Sequence, residues 1–510
     1  MRRGSGLFHG CAVKPCQPAR SRPAGRRLIP VKACHTHRAY RGAMTTGRPR
    51  FDPDLLARHD TPGPRYTSYP TAPHFDAAFG ESALRAAIAR SNDALIPRPL
   101  SLYVHVPFCL SPCFYCGCTR IVTRDTARGP AYAERLRREI DRIAPLFDDD
   151  REVVQLHFGG GTPNFLDEPT LARLVGHLRE VFHFADEQHS DLSIEIDPRS
   201  TTPAAMAMLR DVGFNRASFG IQDFDPDVQV AVNRVQPFEA TRDVLEAARA
   251  AGMRSINVDL IYGLPKQTLD GFRATLEKVV ELRPDRVAVY SYAHLPQMFR
   301  PQKRIDAADL PSPAGKIALL GLAIERLTAA GYVYIGMDHF ALPFDELAVA
   351  QRKGGLHRNF MGYTTHADTD LVGFGASAIS RIADAYAQNP RELGLWEAAV
   401  DAGRLPVWRG LVLDDDDQVR ATLIQDLMCQ GEVDFDALSR RTGAETLAVL
   451  EEARPRLAAL EADGLVACRD HRVRVTDRGR LLLRVVAACF DRYLPAAPAG
   501  VQLGEFVPKL

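Results

Sequence analysis

The 510-residue chain has no apolar run near the eighteen residues of a membrane span, and none that resembles the core of a signal peptide. Both absences argue against a membrane or secreted protein, so the ten cysteines are read as thiols of a reducing, cytoplasmic compartment and not as disulfides. Acid is missing from one region: residues 1–43 hold ten Lys or Arg and no Asp or Glu. That bias superficially matches an organelle transit peptide, but Pro15, Pro18, Pro23 and Pro30 break the amphipathic helix such a peptide needs. Met44 precedes an ordinary soluble start, and residues 1–43 read as an extension ahead of it. Without them the chain carries 54 basic against 63 acidic side chains, a net of −9, which disfavours a nucleic-acid partner unless basic charge is gathered on one face. Low-complexity segments are also absent. The 46% hydrophobic and 25% charged composition suits a globular protein of two or three domains.

Against these absences stands one concentration. Residues 109–118 contain Cys109, Cys113, Cys116 and Cys118, on the loop that leaves an alternating apolar run at 102–108 read as a buried strand. A structural zinc site wants two separated cysteine pairs, and no second pair follows Cys118 within reach. Three thiolates at C-x3-C-x2-C spacing can instead reach three irons of a cubane cluster, leaving the fourth iron without a protein ligand. Cys118 is the odd one: a single residue separates it from Cys116, and Gly117 suggests a turn that directs it away, so it is expected to have a non-ligand role. With Tyr115 just before the third cysteine, the pattern resembles the signature loop of radical S-adenosylmethionine enzymes.

From residue 101 strand-like and helix-like segments alternate. Strands are predicted at 102–106, 153–158, 192–196, 216–221, 255–261 and 286–292, with helices at 132–145, 168–182, 203–212, 238–251 and 269–282. Strict alternation implies right-handed crossovers and a parallel sheet. Six units fall short of the eight that close a barrel, so the expected fold class is α/β, an open, partial parallel βα barrel with its chemistry at the C-terminal strand ends. Those ends carry Gly159-Gly160-Gly161-Thr162-Pro163, Glu195-Ile196-Asp197, Gln222-Asp223 and Asp259. Carboxylates in otherwise apolar strands are costly to bury alone, and several at matching ends argue for one shared pocket. Ahead of the barrel, residues 44–100 read as an extended strap with a short helix, packed on the main domain or acting as a flap that supplies Arg65 or a tyrosine. Between 294 and 410, His294 and the pair Asp338-His339 lack a metal-binding spacing and read as packing residues. Residues 411–510 read as a helical, winged-helix-like domain whose acid run, Asp414 to Asp417, should repel phosphates. The division is therefore 1–43, 44–100, 101–410 and 411–510.

Taken together, Pro64 to Pro70, the four-cysteine loop, Gly159 to Pro163, Ile221 to Phe224, Asp259 to Pro265, Tyr292 to Pro296 and Gly336 to Phe340 make the chain resemble the oxygen-independent coproporphyrinogen III oxidases, from about residue 55 to 492. The resemblance implies a [4Fe-4S] cluster on Cys109, Cys113 and Cys116, and two S-adenosylmethionine molecules in one pocket. Tyr103, Gly160, Glu195 and Ile379 would contact the first; Tyr115, Gly161, Thr162, Gln222, Arg234, Asp259 and Ala293 would contact the second. It also implies the reaction: a 5'-deoxyadenosyl radical takes hydrogen from a propionate β-carbon, CO2 and an electron leave, and two such events turn coproporphyrinogen III into protoporphyrinogen IX. The electron donor and acceptor are unidentified. Arg65, Arg120, Arg124 and Arg358 are candidates to grip the substrate carboxylates, and the protein is expected to be a monomer. The rival is a haem chaperone of the same superfamily, whose loop typically lacks the C-x-C ending and whose chain lacks the strap motif; both are present here. A chain that begins at Met44 is expected to fold, bind its cluster and turn over as the 510-residue form does. Loss of soluble expression or activity on that truncation would count against it.

Overall fold

The computed structural model describes residues 48–59 and 63–494, so the reading of residues 1–43 lies outside the described residues. Six strands form the centre: β1 (Leu100–Val106), β2 (Glu152–Gly160), β3 (Asp191–Ile196), β4 (Arg216–Gln222), β5 (Ser255–Tyr262) and β6 (Arg286–Ser291). They pair in parallel, each with its neighbour in that order. Helices α1 (Arg128–Ile143), α2 (Glu168–Val181), α3 (Pro203–Val212), α4 (Phe238–Ala250) and α5 (Leu269–Leu282) make the crossovers. These are the units expected from the alternation, with ends shifted by a few residues.

The sheet is wider than six strands. A seventh parallel strand, Asp370–Phe374, adds beside β1, followed by the antiparallel strands Ile379–Ile382, Ala385–Gln388 and Arg409–Val412. The short strands Val333–Gly336 and His339–Ala341 extend the β6 edge. Sequence reading missed all six, because they span three to five residues each and include Gly373, Ser380 and Gly410, so neither length nor apolar alternation marks them.

Register gives the sheet its two faces. Leu156, Phe158, Ile194, Phe219, Val258, Leu260 and Val287 point to one side and are fully buried, packed in a single apolar core with Leu136, Leu174, Met206, Leu245 and Leu276 of the crossover helices. The residues between them, Gln155, His157, Ser193, Glu195, Ser218, Asn257 and Asp259, point to the other side and line a cavity. Parallel strands covered on both faces are usually apolar throughout, and a closed barrel fills its interior with branched side chains. A polar inner face in an open barrel leaves room for ligands. At the N-terminal strand ends the cavity is floored by ion pairs: Arg216 with Asp191 (2.7 Å), Arg286 with Asp345 (2.9 Å) and His366 with Asp191 (3.1 Å). Burial opposes ionisation of Asp191, yet His366 and Arg216 hold its carboxyl well below the usual range.

A second apolar core is built by helices Asp415–Gln430, Phe435–Thr442 and Leu447–Ala462 with a three-stranded sheet of Glu432–Asp434, Val466–Arg469 and Arg472–Val475. This is the winged-helix-like arrangement, with one more short strand than expected. Two expectations need correction here. The strap packs on this core, not simply on the main domain: Leu55, Leu56, Tyr66 and Tyr69 belong to it. Their phenols are also satisfied there, Tyr66 donating to Asp491 (3.0 Å) and Tyr69 accepting from the Arg492 N–H (3.1 Å). The acid run is not a free negative patch either. Asp414 caps the N-terminus of Asp415–Gln430, where the helix dipole favours negative charge, and Arg492 pairs with Asp414, Asp416 and Asp417.

Helix α1 clamps the turn after the strand Asp370–Phe374. Tyr132 donates to the His105 carbonyl (2.8 Å) and accepts from the Ala376 N–H (3.1 Å). One turn pair along, buried Glu139 accepts from the Gly375 N–H (2.8 Å), Asn389 (2.7 Å) and Trp396 (3.1 Å). All three partners donate, so the amide nitrogen of Glu139→Gln would oppose a donor. The expected loss is about 2 kcal/mol, the usual cost of an unmatched buried polar group, seen as a lower thermal midpoint by circular dichroism. Burial pushes the Glu139 carboxyl up to about 7 from 4.5. A raised value means that its stabilising contribution is complete below the unfolded value and lost as pH rises through the folded one. The stability difference between wild type and Glu139→Gln should therefore shrink from pH 5 to pH 8, and a constant difference would overturn this account.

Candidate active site

The chain leaves β1 into the cysteine loop, which doubles back so that Phe108–Cys109 pairs with Ile121–Val122. Arg120 fixes the loop by donating to the carbonyls of Cys113 (3.0 Å) and Cys116 (3.3 Å). Each of the three spaced thiols has a donor beside it. Thr162 donates to the Cys109 sulfur (3.2 Å), Arg199 and Arg234 both reach Cys113 (3.5 Å), and the Cys118 N–H reaches Cys116 (3.4 Å). Burial pushes the Cys109 thiol up to about 11, opposed by Thr162. The hydrogen bond from Cys118 draws Cys116 down to about 6 against its burial. Cys109 and Cys113 are buried and Cys118 is exposed; all seven described cysteines are free. Among the described residues no three acidic, His or Cys side chains converge as the ligands of a single metal ion do. A cubane asks something different, one thiolate on each of three irons. Three free thiols with N–H and O–H donors and two guanidiniums to offset their charge fit that group.

The Gly-rich end of β2 lies against this loop because it has no side chains. A Cβ on Gly161 would stand 2.8 Å from the carbonyls of Pro107 and Phe108, and one on Gly160, at φ +118°, would stand 2.6 Å from the His105 ring. The Gly161 N–H donates to the Val106 carbonyl (2.8 Å) and the Gly160 N–H to Glu195 (3.1 Å). Glu195 is opposed by burial, but His157, at 3.4 Å, and the Gly160 N–H keep its carboxyl below the ordinary value. Asp259 is the reverse case. Burial first and the charge of Glu195 second push it up to about 7, although Asn257 (2.9 Å) and Ser218 (3.3 Å) donate to it. Two inward carboxyls of one pocket are thus held in different states.

Two groups of residues form around these features. Tyr103 bonds His105 (3.0 Å), stacks on His157 (ring centroids 5.9 Å apart) and pairs in register with Gly373, where an added Cβ would stand 2.8 Å from the Ile379 carbonyl. Tyr103, Gly160, Glu195 and Ile379 therefore gather at the ends of β1, β2 and β3. Gln302 donates to the carbonyls of Tyr115 (2.9 Å) and Ala293 (3.1 Å), and Arg234 donates to the carbonyl of Gly220 (2.5 Å), the register partner of Asp259. With buried Gln222 at φ +70° ending β4, and with Gly161 and Thr162 on the facing loop, Tyr115, Arg234, Asp259 and Ala293 gather at the ends of β4, β5 and β6.

Residues 103–279 match the radical SAM superfamily and residues 413–482 the HemN C-terminal domain. The oxygen-independent coproporphyrinogen III oxidase of Pseudomonas aeruginosa is 49% identical over 447 residues, 88% of this chain and 97% of that one. The protein of that name from Escherichia coli K12 is 48% identical, over 87% of this chain and 96% of its own. The solved Escherichia coli coproporphyrinogen III oxidase (HemN), described as a radical SAM enzyme, superposes with a TM-score of 0.83 at 47% identity, covering 88% of this chain and all of that one. This chain belongs to the oxygen-independent coproporphyrinogen III oxidase family.

Within this family member, several polar residues of the site escaped sequence reading. His157 and Ser193 occupy inward positions of β2 and β3 and bond each other (2.6 Å); their inward register, beside Glu195, was the available signal. Arg199 lies within the single helical turn Pro198–Ser200 and pairs with Asp197 (2.7 Å), which also holds Arg234 (3.2 Å); no periodicity announces such a contact. Of the four arginines considered for the substrate, Arg120 is committed to the cysteine loop and Arg124 is exposed. Arg65 pairs with Asp338. Gly161→Ala is expected to lower the thermal midpoint and cut iron per chain after anaerobic reconstitution. The atoms it meets are main chain and cannot yield, so overpacking costs about 1–3 kcal/mol. Wild-type iron content in that variant would refute the close-approach argument.

Proposed function

We propose that the protein carries out the anaerobic oxidative decarboxylation of two propionate side chains of coproporphyrinogen III to vinyl groups, giving protoporphyrinogen IX and CO2, in porphyrin and haem biosynthesis. One observation supports this reading most: a loop of three donor-flanked thiols stands over the polar interior of an open parallel barrel. Cys109, Cys113 and Cys116 are the cluster ligands in this proposal, and Cys118 is left outside the set. Bound there, the cluster and S-adenosylmethionine supply one-electron chemistry and hydrogen abstraction from the propionate β-carbon. The chain's own task is to hold and orient. Ionised Glu195, with Tyr103, Gly160 and Ile379, suits the hydroxyls and adenine of one S-adenosylmethionine. Arg234, Gln222, Thr162, Gly161, Tyr115, Ala293 and the more readily protonated Asp259 suit a second. No described helix is long and apolar enough to cross a membrane. We place the protein in the cytoplasm as a monomer served by a separate electron donor and acceptor.

Anaerobic turnover with protoporphyrinogen IX and 5'-deoxyadenosine counted together tests the reaction; haem binding without turnover would assign the chain to the chaperone branch instead. Cys109→Ser, Cys113→Ser and Cys116→Ser should each lose the cluster, whereas Cys118→Ser should keep about four irons per chain, as three ligands and one open iron require. Equal cluster loss in Cys118→Ser, by iron and sulfide analysis with electron paramagnetic resonance, would sink that assignment. Asp259→Ala should weaken one of two S-adenosylmethionine binding events, and a stoichiometry of one per cluster in the wild type would end the two-molecule reading.

A further inference from the structure

We infer that Arg358 is a carboxylate anchor for one propionate of the substrate, an inference that rests on the proposed reaction and adds the residue that orients its tetracarboxylate. Arg358 lies on the short strand His357–Asn359 and is 3% exposed. Among the described residues its Nε and Nη1 have no hydrogen-bond partner and its side chain has no ion-pair partner. Other deeply buried arginines each have an acid at ion-pair distance, Arg151 with Asp370 (2.7 Å), Arg216 with Asp191 (2.7 Å) and Arg234 with Asp197 (3.2 Å), although the Nε of Arg216 and of Arg234 also lacks a hydrogen-bond partner. A guanidinium removed from water without an acceptor is destabilising, and its persistence in the fold is explained if a ligand carboxylate completes it.

The surroundings say where that carboxylate comes from. The guanidinium stacks on the ring of Tyr363, 4.8 Å from its centroid. Tyr363 and His339, whose rings meet edge to face at 5.4 Å, both line the cavity, and the His339 Nδ1 also lacks a partner. Arg65 stands near the same wall, 5.5 Å over the Tyr290 ring, but already holds Asp338. Glu195 and Asp259 line the cavity as well, among the residues that we assign to S-adenosylmethionine. A substrate with four carboxylates is repelled by ionised Glu195 and drawn to the arginines, which turns its reacting edge toward the cysteine loop. Arg358 does not itself line the cavity but packs on Tyr363, which does; in this proposal its guanidinium turns past that ring to meet the carboxylate.

The test uses the full-length, anaerobically reconstituted protein with coproporphyrin III, the stable fluorescent tetracarboxylate, and its tetramethyl ester as probes. Wild type should bind the acid more tightly than the ester. Arg358→Met should lose about tenfold or more of the acid affinity, as removal of a charge-assisted pair does, and leave ester binding unchanged. Arg358→Lys should recover part of the loss, KM should rise more than kcat falls, and the thermal midpoint of Arg358→Met should not drop. Unchanged acid affinity in Arg358→Met, with wild type still turning over, would overturn the anchor alone. Parallel losses for acid and ester with a lower midpoint would overturn it in favour of a packing role. A wild type that neither turns over nor prefers the acid would overturn the proposed reaction and the anchor with it.

Discussion

Everything in this molecule depends on keeping a polar surface inside a parallel sheet. Inward-facing Asp, Glu, His and Arg side chains cannot be left unpaired in a low-dielectric interior, and the sheet meets that demand differently at its two ends. At the N-terminal ends of the strands, opposite charges are matched within the protein: Asp191 with Arg216, Asp345 with Arg286. That end is a floor. At the C-terminal ends the pairing is partial, with Asp259 held near neutrality, Glu195 ionised against one histidine and one N–H, and the thiols facing donors that suit thiolates. Chemistry belongs where the internal pairing stops.

The same contrast explains what could be read from residues alone. The six parallel strands and five crossovers were legible because each strand carries one apolar face against helices of 10 to 16 residues, long enough for periodicity to show. The cysteine spacing was legible because local spacing is all that it needs. His157, Arg199 and the Asp197 link to Arg234 were not, since each gains its meaning from a register or a contact made across the sheet. The short strands from 333 to 412 were lost for a related reason: they complete edges set by the rest of the sheet and carry little preference of their own.

The strap shows how an outwardly plain segment joins two cores. Arg65 pairs with Asp338 at the end of the edge strand Val333–Gly336, while the next residue, Tyr66, is buried in the C-terminal core and donates to Asp491. These neighbouring residues face opposite ways, and Tyr66 stands at φ +48°, a conformation uncommon outside glycine. Tertiary contacts on both sides must hold that backbone in place. On its other side Arg65 lies 5.5 Å over the ring of Tyr290, one wall of the cavity. This two-residue step joins the winged-helix-like core to the edge of the sheet, while the acid run, occupied with Arg492 and a helix N-terminus, serves that core's own cohesion.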